Sequence, residues 1–176
     1  MLRIRDILQE IERHAPLWLQ ESFDNSGVQV GDVNQPAQGA LLCLDMTEAV
    51  IDEAVELGCN LIIAHHPLVF KPLKSLTGAN YVQRCIMKAC KNDLVVYAAH
   101  TNLDNATDGV NFKLAEYLGL QNVRILNPQQ GILLKLATFV PEAVCNTRTY
   151  IDNKHIAIGK YLQRSDSCSY TIFAKR

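Results

Sequence analysis

Two short polar clusters follow directly on apolar runs and carry the residue types that chemistry needs. LIIAHHPLVF (61–70) places His65 and His66 side by side, and VVYAAHTNLDNATDG (95–109) places His100, Thr101, Asn102 and Asp104 within five residues. Imidazole nitrogen with carboxylate oxygen suits zinc, manganese, iron or nickel, whereas calcium and magnesium favour oxygen alone. Adjacent residues of an extended chain point to opposite sides, so His65 and His66 reach one ion only if the chain turns, or reach two ions a few Å apart. Pro67 makes a local turn reasonable. Asp104 suits a third ligand or a bridge between two ions, and His100 or Asn102 a supporting group or proton shuttle. Any one of these residues alone would more often cap a strand end; the vicinal histidines with a second polar strand end bring a metal site level with that reading.

Other chemistries lack their signatures. No G-x-S-x-G elbow occurs, no cysteine stands beside a histidine in a strand-end loop, and neither G-x-G-x-x-G nor G-x-x-x-x-G-K-[ST] is present. Asp24 and Asn25 in FDNSGVQVG read first as Asx-turn residues, with lining of the metal cleft as the functional alternative. His14 and His155 read as surface or packing histidines.

The elements that must position these residues follow from hydrophobic periodicity. Ile4, Ile7, Leu8 and Ile11 form a helical stripe that Pro16 ends. Val28 to Gly31 is extended. Gly39 to Asp45 is a strand, followed by a helix capped by Thr47 and closed at Gly58. Strand 60–64, helix 81–90, strand 94–99 and helix 109–118, closed by Gly119, repeat that grammar. Uniformly apolar strands alternating with helices predict an α/β fold, a largely parallel or mixed sheet with helices on both faces. In such a sheet ligands gather at the carboxyl ends of the strands, so both polar clusters are expected on one rim. Asn127 and Pro128 interrupt the pattern, and GILLKLATFV (131–140), stopped by Pro141, begins what reads as a smaller inserted unit. The expected division is a metal-binding half-domain at 1–128 and a partial insert or aberrant tail at 129–176. Beyond Cys145 only fragments of alternation remain.

The chain of 176 residues, 48% hydrophobic and 20% charged, has the balance of a globular protein able to bury a core. Its apolar runs fall well short of the ~20 residues of a membrane span, and MLRIRDILQEIER has acidic residues inside its stripe where a signal peptide would be apolar. A cytoplasmic protein with no membrane partner is expected. The six cysteines form no C-x-x-C pair and read as reduced thiols. Residues 146–176 hold six basic and two acidic side chains, spread as on a solvated face, and nucleic-acid binding is not expected.

Together ESFDNSGVQVG (21–31), LIIAHHPLVF (61–70) and AAHTNLDNATDGVN (98–111) resemble, in order and spacing, the signature blocks of the Nif-three-like family, the GTP cyclohydrolase I type 2 homologues. Phe23 stands where the family commonly has Trp. The resemblance implies an α/β protein with a dinuclear metal site, commonly assembled as a homohexamer. By motif, His65, His66 and Asp104 match metal ligands, and His100 matches the histidine of the H-T-x-x-D block and is the candidate catalytic residue lining the site. The cofactor implied is a divalent transition metal, zinc, iron or manganese, as one ion or two. The activity implied is hydrolysis of a nucleotide-like substrate, with metal-bound water as nucleophile opening the guanine ring of GTP.

The family completes its site with a His and a Glu four residues apart; here His155 is followed four positions on by Gly159, and the sequence has no H-x-x-x-E. KLATFVPEAV (135–144) resembles the opening of an insert carried by longer relatives, so a truncated or aberrantly ended relative is expected. Two functions follow: a metal-dependent hydrolase, or a non-catalytic metal-binding or oligomeric interaction protein.

Overall fold

The computed structural model describes residues 1–125 throughout and, beyond them, the backbone of 133–141, 157–162 and 167–175. It forms two compact units, Met1–Val123 and Arg124–Arg176.

The first unit is built on a four-stranded sheet. Strands β2 (Ala40–Cys43), β3 (Leu61–Ala64) and β4 (Val95–Ala98) are parallel, and β1 (Gly27–Val30) runs antiparallel along β4, giving the order β1-β4-β3-β2. The central strands β3 and β4 read as continuous apolar runs because both their faces are covered, whereas β2 at the edge leaves Leu42 exposed. Alternate residues divide between the faces. Ile62 and Val96 pack with Ile51 and Ala54 of α2 (Glu48–Glu56) and with Cys85, Ile86 and Ala89 of α3 (Tyr81–Lys91). Leu61, Val95 and Tyr97 pack with Ile4 and Leu8 of α1 (Ile4–His14). Tyr97, Ile62 and Val96 are fully buried, and each aliphatic side chain so enclosed contributes roughly 1.5–3 kcal/mol.

The helix limits follow local chemistry. Thr47 Oγ1 accepts from the Val50 amide and Asn80 Oδ1 from the Gln83 amide, satisfying amides that have no partner in the first turn. Gly58, at φ 67°, and Gly119, at φ 69°, close α2 and α5 (Val110–Tyr117) in the left-handed region that glycine enters without strain. These elements match the expected ones closely. A 3₁₀ turn at Leu17–Leu19 and a four-residue helix α4 (Thr101–Asp104) are additions, both too short to leave a periodic pattern.

The second unit is a three-stranded antiparallel sheet of β5 (Leu133–Pro141), β6 (Ala157–Leu162) and β7 (Ser167–Lys175) in the order β5-β7-β6. Strand β5 is the strand expected after Pro128. His155 lies outside the described residues. No helix among the described residues is long and apolar enough to cross a membrane.

Candidate metal centre

Parallel alignment of β2, β3 and β4 brings their carboxyl ends to one rim, as the strand-end rule requires. Leu44 and Asp45 leave β2 there, His65 and His66 leave β3, and Ala99 and His100 leave β4. The antiparallel β1 begins at the same rim, since Gly27 pairs with Ala98, so Asp24 to Ser26 arrive beside them.

The two vicinal histidines meet on one side because the chain bends at their positions. Their amides remain in the ladder, His65 N donating to Cys43 O and His66 N to Leu44 O, while their rings lie 5.0 Å apart between centroids. His100 completes a triangle, its ring centroid 5.4 Å from His65 and 5.6 Å from His66. One ring nitrogen of each residue lies within 4.8 Å of those of the other two.

Each ring is held through Nδ1. His65 Nδ1 lies 2.8 Å from the Ala99 carbonyl oxygen, an atom that can only accept, so this nitrogen carries the hydrogen and in the neutral ring Nε2 carries the lone pair. His66 Nδ1 lies 2.8 Å from Asp45 Oδ1, and His100 Nδ1 lies 2.8 Å from Asp24 Oδ1. Metal-binding histidines are oriented in this way, with the distal nitrogen tied to a carbonyl or carboxylate. The cluster can therefore hold a metal ion, and its nitrogen-rich donor set suits a transition metal better than calcium or magnesium.

Asp104, on α4, places Oδ1 3.8 Å from His65 Nε2 at the border of the triangle. Asn102 does other work. It is fully buried, its Nδ2 donating to the Ala15 carbonyl at the end of α1 and its Oδ1 accepting from the His100 amide. Asn105 Nδ2 adds bonds to Leu19 O and Glu21 Oε1, so the 100–105 loop is stitched to residues 15–21.

Asp24, which the sequence reads first as an Asx-turn residue with lining of the metal cleft as the alternative, lies at this rim and bonds to His100. Its side chain has no exposed surface. Burial pushes its carboxyl up, but hydrogen bonds from Thr101, His100, Ser26 and the Asn25 amide outweigh that and hold it well below the usual carboxylate range. Asp45, just after the apolar strand β2, carries the same strand-end signal as His65 and His100, and the sequence reading does not include it among the site residues.

The chain is a mixed α/β protein in which three imidazoles converge at the carboxyl rim of the sheet and could hold a metal ion. The Duf34/NIF3 (NGG1p interacting factor 3) profile matches residues 2–174, and the chain belongs to that family. It is 44% identical over 155 residues to the "GTP cyclohydrolase 1 type 2 homolog" of Halalkalibacterium halodurans, covering 88% of this chain and 40% of that protein. It is 41% identical over 141 residues to the protein of the same name from Staphylococcus aureus, covering 80% of this chain and 38% of that one. The chain thus spans less than half the length of these relatives. The crystal structure of a Bacillus cereus protein related to NIF3 superposes with a TM-score of 0.75 at 34% identity, over 99% of this chain and 54% of that one.

Proposed function

We propose that this chain supplies the metal-binding rim of a hydrolase acting on a nucleotide-like substrate, with His65, His66 and Asp104 as ligands and His100 as the proton acceptor facing them. The observation that carries this reading is the convergence of three imidazole nitrogens within 4.8 Å of one another, each ring anchored through Nδ1. His65, His66 and Asp104 would hold a divalent transition metal, zinc, iron or manganese, as one ion or two, which would supply positive charge that brings the pKa of water toward neutrality. His65 contributes a preset Nε2 lone pair. His66 is oriented by Asp45, and Asp104 adds negative charge beside His65, which favours a cation over a neutral ligand. His100, across the triangle, stands where it accepts a proton at Nε2. The half-buried to exposed rim leaves an approach for a substrate, and Phe70, whose ring meets His100 edge-on at 6.4 Å between centroids, offers an apolar wall for a planar base. Assembly as a homo-oligomer, hexameric by the family resemblance, is part of the same proposal. Val110, Leu114, Tyr117 and Leu118 form an exposed apolar stripe on α5 that supports it.

The test is purified protein loaded with zinc, iron or manganese and assayed against GTP and simple phosphoesters beside H65A and H66A. Turnover by wild type alone is expected; equal behaviour of all three proteins would overturn the hydrolase reading. The rival reading is a non-catalytic metal-binding or interaction protein, and metal uptake without turnover would select it.

A further inference from the structure

We propose that Asp24 is a positioning residue that fixes the tautomer and ring orientation of His100, so that Nε2 is presented to the cluster as a lone pair. The inference rests on the proton-acceptor reading of His100 given above. Asp24 stands 76 residues away in sequence and reaches the rim because β1 lies antiparallel beside β4.

The polarity of the network is set by atoms that cannot exchange roles. The amides of Asn25 and Thr101 lie 2.7 and 3.1 Å from Asp24 Oδ1 and Oδ2, and both can only donate. Thr101 Oγ1 receives the Glu21 amide at 3.0 Å, which directs its own hydrogen toward its close partner, Asp24 Oδ2. Ser26 Oγ donates to the same oxygen at 2.8 Å. A carboxyl group ringed by these donors serves as acceptor throughout, and the remaining neighbour, His100 Nδ1 at 2.8 Å, must therefore donate. With Nδ1 protonated, the neutral ring has its lone pair on Nε2, in a ring whose centroid lies 5.4 and 5.6 Å from those of His65 and His66. His65 reaches the same state through the Ala99 carbonyl, so two independent devices set neighbouring rings alike. Asp24 hydrogen-bonds to neither His65 nor His66, and among the three histidines it bonds to His100 alone.

The test is long-range proton–nitrogen NMR of the 15N-labelled full chain, freed of metal and held at about pH 8, above the ordinary imidazole range, with H100A to assign the resonances. Because no metal is needed, the result stands whether or not the hydrolase reading survives. Expected for wild-type His100 is a single neutral tautomer with Nδ1 protonated and Nε2 shifted to the unprotonated position. In D24N, whose carboxamide can donate to Nδ1, the pattern reverses or becomes a mixture, whereas S26A leaves it as in wild type. A wild-type His100 protonated on Nε2, alone or on both nitrogens, would overturn the inference, as would an unchanged tautomer in folded D24N. Should D24N not fold, the wild-type spectrum alone decides.

Discussion

His66 Nδ1 lies 2.8 Å from Asp45 Oδ1, joining the residues that follow two neighbouring parallel strands. Of the three ring anchors at the rim this is the exposed one. His65 is held by a backbone carbonyl that no substitution removes, and His100 by a carboxylate shut away from solvent.

Removing the Asp45 carboxylate should therefore loosen His66 without disturbing the core. D45A is expected to weaken cobalt(II) binding by about 10-fold, the lower end of what outer-shell partners contribute. Its thermal stability should stay within about 0.5 kcal/mol of wild type, as for other surface substitutions. Titration followed by visible absorbance, with a parallel melt, checks both.

Asn102 should behave in the opposite way. It is fully buried and bonded at both ends, so N102A leaves the Ala15 carbonyl and the His100 amide without their partner. The expected loss is about 2–3 kcal/mol in urea unfolding, since each buried orphan costs on the order of 1–3 kcal/mol. N102D should be no better, because a carboxylate cannot donate to Ala15 O. An N102D variant as stable as wild type would show that the bond to Ala15 contributes little.

Tyr97 gives a pH dependence of definite sign. Burial, and after it the Glu12 carboxylate 3.4 Å from the hydroxyl, pushes the phenol above its ordinary pKa. Above about pH 10 the unfolded chain releases this proton while the native state keeps it, so stability falls as pH rises toward the native pKa. The contribution is fully present below about pH 10, and the loss beyond it approaches about 1.4 kcal/mol per pH unit. Y97F lacks this loss. Urea unfolding at about pH 9 and about pH 11 should show wild type losing more than Y97F, and equal losses would contradict the assignment.

The parts of this fold that were legible in the sequence are those set by local rules. The stripe from Ile4 to Ile11, the Thr47 cap, the Gly58 and Gly119 stops and the apolar runs of β2, β3 and β4 each declared an element. The strand-end rule then placed His65, His66, His100 and Asp104 on one rim. What stayed hidden depends on pairing at a distance. Asp24 shows only an Asx turn locally, and its bond to His100 exists because β1 runs against β4. Asn102 shares a polar loop with His100, and nothing nearby in sequence reveals that it is drawn under α1 by Ala15. α4 spans four residues, barely one turn, and cannot show a helical period. Strands β6 and β7 lie in a tail whose alternation is fragmentary, and their register depends on pairing with each other and with β5.

The central claim, that His65 and His66 at the end of β3 grip a cation together with Asp104, is tested most directly by calorimetric titration of metal-free wild type with zinc beside the double variant H65A/H66A. Wild type should take up one or two ions per chain, and the double variant should lose binding by more than 10-fold. Wild type that binds no zinc, or a double variant that binds it equally well, would contradict the claim.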